Sequence, residues 1–592
     1  MIALDDDAAP DRRQHWEHAV RAVLTRAGRD IGDGDLAAAL DSDTLDGVVV
    51  HALAEPVRTD RGSVGEAPFT RGAPMPGGGW DARALLTAGS EQAARDAVEE
   101  LEGGSTSLWV RADGAEAMTS ALADVYLDLA PVVLDAVDVP VPELARALVD
   151  RAEHAGRALH ARTNLGAEAF GAALRDGGSA DLAATVEVAR LAAGAGVRGV
   201  VVDATAAYDL GSTDVTELAF ALAAGAEVLR ALEDGGVDLP TALRLMEFRL
   251  SVSDDQLISI AKLRAARLLW SGLARAAGAD APSTLMHQHA VTARPMLTRY
   301  DSWTNLLRTT IAAFSAGVAG AEAVTVLPFD TALGEPERLG RRMARNISRL
   351  LIEESHLDAV ADPAGGAHGI ERLTDDLAAE AWDAFRQIEQ DGGLRIALES
   401  GTIRRRIDEE AGERDRLVRT RRQPVTGVSE FPVAGETLPV RRPEPHPVRV
   451  RSWTHELEAL RDDAAARPVV LAAIGAVAEH TARVGFASHL LTAGGVPVVS
   501  TGPTASAADV NEVIRESRSA VAVLAGSDAQ YAKEGAAYVE ALRDAGVTWV
   551  VLAGRPSAEL EPRVDDHLAV GHDVVETVQR LRSRLDGEGA ES

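Results

Sequence analysis

Gly199-Val200-Val201-Val202-Asp203 is the stretch whose reading settles the fold class. A short, uncharged, β-branched run of this kind is a strand buried on both faces, as in a parallel sheet. The acid that closes it stands where strands of a parallel barrel carry chemical groups. Outward from it, Ser107-Leu108-Trp109-Val110, Val132-Val133-Leu134 and Ala323-Val324-Thr325-Val326-Leu327 have the same character. Helical stretches at 259–277 and 337–355 lie between or after them. Strand and helix thus alternate from about 65 to 400. Periodicity alone gives α/β; over this length it is what a (β/α)8 TIM barrel needs.

A second α/β unit, 466–592, opens on Val469-Val470-Leu471-Ala472-Ala473-Ile474. Val496-Pro497-Val498-Val499-Ser500, Ala520-Val521-Ala522-Val523-Leu524 and Thr548-Trp549-Val550-Val551-Leu552 follow, about 25 residues apart. Helices are expected near 505–516, 529–545 and 573–585. That spacing is a flavodoxin-like doubly wound sheet.

The remaining segments are less regular. Residues 1–64 form an N-terminal arm. Trp16, Val20, Val23 and Leu24 fall at helical spacing, and Leu45-Asp46-Gly47-Val48-Val49-Val50 is a turn entering a short strand. The helix either packs on a partner or caps its own barrel. Residues 401–465, with Arg404-Arg405-Arg406, Arg419-Thr420-Arg421-Arg422 and prolines at 424, 432, 439, 443, 445 and 447, read as an extended linker over a surface. Its positive stretches either lie on acidic protein or are simply solvated.

Composition sets bounds. A chain of 592 residues exceeds one core. The net charge of -31 repels nucleic acid. It also repels polyanionic coenzyme A unless a local basic site overrides it. The absence of cysteine excludes disulfides, thiolate nucleophiles and cysteine metal sites. No long uncharged apolar run is present, and Asp5-Asp6-Asp7 with Arg12-Arg13 argues against a secretory signal. The expected location is cytoplasmic.

Four strings carry a resemblance. They are Ile260-Ala261-Lys262-Leu263-Arg264-Ala265-Ala266-Arg267-Leu268-Leu269-Trp270, Arg308-Thr309-Thr310, Met343-Ala344-Arg345-Asn346 and Asp362-Pro363-Ala364-Gly365-Gly366. In this order and spacing the chain resembles the cobalamin-dependent methylmalonyl-CoA mutases. The resemblance implies a barrel followed by a cobalamin-type domain, and it marks positions where chemistry would sit. Most of these are altered. The His that would bond the migrating thioester carbonyl is Ala206, within Ala204-Thr205-Ala206-Ala207-Tyr208. The substrate-binding Gln is Gly166. The coenzyme-side Arg and Ser are Leu245 and Glu247, and a carboxylate there repels a polyanion. His289 survives, with His287 in place of an Arg and Val291 in place of a Gln. His287-x-His289 without a third ligand is weak support for a metal. After Pro68-Phe69-Thr70-Arg71-Gly72, the loop 73–80 is short and lacks the family's Tyr.

In the second unit the family's D-x-H-x-x-G loop reads Ala478, His480 and Arg483. His480 lacks the acid that would orient it as a cobalt ligand, and Arg483 obstructs close backbone approach. It reads as a polar loop histidine. Asp203, with no basic residue nearby in sequence, reads as structural.

Within the family the chain resembles the small, non-catalytic subunit of the heterodimeric enzyme. The resemblance implies a 1:1 complex with a homologous large catalytic subunit, which binds adenosylcobalamin and isomerises methylmalonyl-CoA and succinyl-CoA. No catalytic, cofactor or metal residue is expected on this chain, which would stabilise its partner. Three alternatives stand beside this: an active mutase, a subunit of a related mutase acting on isobutyryl-CoA, and a self-associating protein using a barrel emptied at Gly166 and Ala206.

Overall fold

The computed structural model describes residues 9–29, 32, 34–55, 61–73 and 79–586, with side chains from residue 13 onward. Asp5-Asp6-Asp7 and the middle of the loop 73–80 lie outside the described residues.

Eight parallel strands close a barrel: β1 Asp81–Thr87, β2 Ser107–Ala112, β3 Val132–Ala136, β4 Asn164–Ala167, β5 Arg198–Asp203, β6 Met246–Val252, β7 Gln288–Thr292 and β8 Ala323–Thr325. Closure is made by β8 pairing with β1, Ala323 opposite Asp81. Five parallel strands form the second sheet: β9 Val469–Ile474, β10 Val498–Thr504, β11 Val521–Ala525, β12 Trp549–Ala553 and β13 Asp566–Leu568. Their order, β10-β9-β11-β12-β13, is the flavodoxin order. The short edge strand β13 was not legible in the sequence.

The helices used below are α1 Ala9–Arg26, α2 Thr205–Asp209, α3 Asp214–Asp234, α4 Gln256–Ala276, α5 Thr402–Arg419, α6 His455–Asp462, α7 Val477–Ala493 and α8 Asp528–Asp544. Their starts follow from capping. Thr213 accepts from Thr216 N at α3, and Asp255 accepts from Ile258 N at α4. The expected helix at 337–355 divides into Arg338–Arg349 and a π turn at Leu350–Glu354.

Two expectations change. The stretch 401–465 is not extended throughout. It opens on α5, which buries Ile403, Ile407, Ala411 and Val418 at helical spacing, and it ends on α6. Its arginines had hidden that apolar stripe. Among the described side chains of α1, none is buried, and Val23 is 62% exposed. The helix therefore does not cap the barrel core. The turn behind it is anchored: Gly47 takes a positive φ of 75° between Ser42–Asp43 and Val49–Val50, and Val48 is buried.

The motif on α4 explains itself in space. Lys262, Arg264 and Arg267 are fully buried. Lys262 Nζ lies 2.6 Å from both Asp214 and Glu217 of α3. Arg264 bridges Asp362 and Glu371; Arg71 joins the first carboxylate at 2.8 Å and Arg61 the second at 2.9 Å. Arg267 donates to the carbonyls of Phe69 and Ala319 and to Gln288. Its partners are mainly neutral oxygens, so burial pushes its pKa down to about 10. Thus 61–72, α4 and 362–371 are one junction.

Replacing Arg264 with Ala is expected to cost about 3–5 kcal/mol, because Asp362 and Glu371 remain buried with one cation fewer. Arg264→Lys is expected to recover little, since one ammonium cannot fork to both carboxylates. Chemical denaturation of the two variants beside the parent chain checks this.

Candidate functional site

Barrel enzymes react at the C-terminal ends of their strands. Here the lumen below that region is crossed by pairs of the chain's own charges. Alternate positions of the strands send polar side chains inward. Arg83 Nη1 donates to Glu247 Oε1 at 2.7 Å, and Asp81 lies 3.0 Å from Arg83 Nη2. Arg249 donates to Asp203 at 3.1 Å and to His289 Nδ1 at 3.3 Å, with its guanidinium 3.9 Å from the Trp109 ring centre. Arg175 pairs with Asp203 at 3.1 Å, and Arg294 with Asp209 at 3.1 Å.

Asp203 therefore has basic partners, supplied by β6 and by Arg175 rather than by its sequence neighbours. Burial alone would raise its pKa; Arg175 and Arg249 reverse this and hold it well below the usual carboxylate range. Burial and the surrounding guanidiniums keep His289 neutral, and its Nε2 lies 2.7 Å from Thr325 Oγ1. His287 is pushed down to about 3 by burial and by Arg198, which sits 3.0 Å from its Nδ1. A metal ion at His287-x-His289 would face these arginines.

The positions that the family resemblance singles out fall as follows. Leu245 and Val291 are core residues. Glu247 is the buried counter-ion of Arg83. Ala206 lies fully buried in α2. Gly166 has φ +77°, and a Cβ on it would overlap the Leu134 carbonyl. The glycine thus serves the backbone's close approach to β3. Arg83, Arg175, Arg294 and Trp109 went unnoticed in the sequence. For Arg83 and Trp109 the signal was a charge or a ring at alternate positions of a barrel strand; Arg175 and Arg294 lie outside the strands, in a helix after β4 and a turn after β7, where no strand period marks them.

Above the lumen, residues 441–453 cross the strand ends. Glu335 N, after β8, donates to Arg442 O at 2.8 Å. Arg111, near the end of β2, donates to His446 O at 2.7 Å. Arg451 N donates to Asp209 O at 2.7 Å, and Trp453 N to Pro295 O at 3.0 Å. A chamber of 970 Å³ lies on one side, against Trp109, Arg111, Gly166 and Asp203. Another of 390 Å³ lies on the other, against Leu85, Arg294 and Leu297.

Glu168, beside the larger chamber, accepts from Gly171 N at 2.6 Å and Ala172 N at 2.7 Å. Burial, with Asp203 nearby, pushes its pKa up to about 7.

In the second sheet, ligands of doubly wound folds bind beyond the strand ends where the order reverses, here between β9 and β11. His480 is in the first turn of α7, not in a loop, because helix begins directly after Gly475-Ala476. It is buried, and its Nδ1 has no hydrogen-bond partner among the described residues. Ala478 offers none. Arg483 donates to Gly526 O at 2.6 Å and Asp528 at 2.5 Å, and stacks 4.9 Å from the centre of Tyr531. Its guanidinium also lies 3.1 Å from where a Cβ on Gly554 would be, across the ends of β11 and β12. These residues do not fit a corrin with a histidine-ligated cobalt.

Glu168→Gln is expected to flatten the pH dependence of stability. A carboxyl with a folded pKa near 7 and an ordinary value of 4.5 costs stability as pH rises through that window. The amide keeps an acceptor without the charge. Denaturant titrations at pH 5 and pH 8 should show the variant gaining on the parent chain only at the higher pH.

A profile described as methylmalonyl-CoA mutase matches residues 188–505. The methylmalonyl-CoA mutase small subunit of Streptomyces virginiae is 41% identical over the full length of both chains. A probable small subunit of Mycobacterium bovis is 38% identical over 97% of each. The Streptomyces virginiae large subunit is 33% identical over 48% of this chain and 39% of its own. With the closed barrel, the second sheet and a match of this length, the chain belongs to the methylmalonyl-CoA mutase family.

Proposed function

We propose that this chain is the small subunit of a heterodimeric methylmalonyl-CoA mutase, without catalytic or cofactor-binding residues of its own. The buried charge pairs across the lumen carry this reading. A substrate entering the barrel would have to break the Arg83–Glu247 and Arg249–Asp203 pairs, each nearly inaccessible to solvent. Gly166, Ala206, Leu245, Glu247 and Val291 are then structural residues. Ala478, His480 and Arg483 mark a sheet without its ligand.

Adenosylcobalamin, which supplies the radical rearrangement, would be held by a large subunit in a 1:1 pair. This chain's contribution is to support that partner. The apolar side of α1, where Val23 is exposed and Trp16, Val20 and Leu24 are only half-buried, supports a role for the arm in the pairing. Among the described residues no helix is long and apolar enough to cross a membrane, and we place the pair in the cytoplasm.

Hydroxocobalamin titrated into the purified chain should give no ligand-exchange absorbance shift. A stoichiometric shift abolished by His480→Ala would overturn this part of the reading. The co-expressed pair should be active and the isolated chain inactive.

Deleting residues 1–26, through the end of α1, should weaken the pair at least tenfold, about 1.4 kcal/mol. The melting of the isolated chain should change little. Light scattering and calorimetry separate the two effects. An unweakened pair would remove the arm from the interface.

A further inference from the structure

We infer that residues 443–450 are the barrel's own occupant: a strap that closes the C-terminal mouth as an intramolecular ligand. The inference rests on the reading of the chain as non-catalytic and names what shuts it.

The sequence Pro443-Glu444-Pro445-His446-Pro447-Val448-Arg449-Val450 alternates in the structure. Pro443, Pro445, Pro447 and Arg449 are exposed; Glu444, His446, Val448 and Val450 are half-buried. Proline fixes φ and lacks an N–H, so three prolines at every second position favour an extended chain that needs few partners on its outer side. The residues between them are thereby turned toward the barrel. Glu444 lies 3.6 Å from Arg111, the same guanidinium that donates to the carbonyl of His446. Val448 borders both chambers and so stands between them.

The two ends are fixed independently. Arg441 pairs with Glu337 beyond β8. Arg451 pairs with Asp415 of α5 while its N–H holds Asp209. The contacts therefore reach the ends of β2, β5, β7 and β8, on opposite sides of the mouth. A backbone held at four strand ends excludes a large planar or extended ligand from above, as the charge network does from below.

The cysteine-free chain permits a direct test. Leu297 is 2% exposed and lines the smaller chamber beneath the strap. In the full chain carrying Leu297→Cys as its sole thiol, the rate of N-ethylmaleimide modification reports opening of the mouth. Changing Glu444, His446, Val448 and Val450 together to Gly should accelerate modification at least tenfold, with far-ultraviolet circular dichroism unchanged. Val448→Gly alone, a milder variant that keeps the anchors, should give a smaller increase in the same direction. Equal rates in the native-strap and Val448→Gly chains would overturn the inference, as would a native-strap thiol reacting as fast as a free thiol. The readout needs neither the partner nor turnover, so it fails or succeeds separately from the subunit assignment.

Discussion

The junction built on Arg264 and Arg267 is the constraint on which the barrel depends. Two guanidiniums on one face of α4 reach across segments hundreds of residues apart in sequence. Arg264 faces the paired carboxylates of Asp362 and Glu371, and Arg267 faces the carbonyls of Phe69 and Ala319. Taking such groups out of water is tolerable only when nearly every donor is met. Each partner segment must therefore sit in one place. Two residues before Arg264, Lys262 fixes the start of α3 through Asp214 and Glu217. A single helix thus indexes the entry to β1, the neighbouring helix and the segment after β8.

The same principle, applied to the lumen, gives a barrel that satisfies itself. Arg83, Arg249, Arg175 and Arg294 are matched by Asp81, Glu247, Asp203 and Asp209, with neutral histidines filling the gaps. An interior of this kind has no uncompensated charge with which to attract a polyanion. In the second sheet Arg483 plays a comparable part, bonding to the loop after β11 at the place where such sheets take ligands. Both units keep the framework of the family, with arginines paired to the chain's own oxygens at the places where such folds take ligands.

The fold was legible because its signals are local. Val469 to Ile474 is a strand with the bounds read from its apolar run, and Val200 to Val202 lie in β5 as their branching predicts. A buried strand needs apolar residues on both faces, and that requirement is written in consecutive letters. The family was legible for a related reason: the strings on α4 and at Asp362 to Gly366 are interlocking parts, so neither changes freely without the other.

What tertiary structure alone decided is which charges meet. Asp203 has no base beside it in sequence, yet Arg175 and Arg249 both reach it, because closing the barrel brings β6 alongside β5 and Arg175 in from beyond β4. The helical character of 402–419 was masked by arginines on its wet face, and only packing revealed the buried stripe. The path of 441–453 was equally hidden. An extended, proline-rich segment has no period that names its neighbour. Its place depends on a guanidinium, an N–H and two carbonyls contributed by four different strand ends, and these converge only once the barrel has closed.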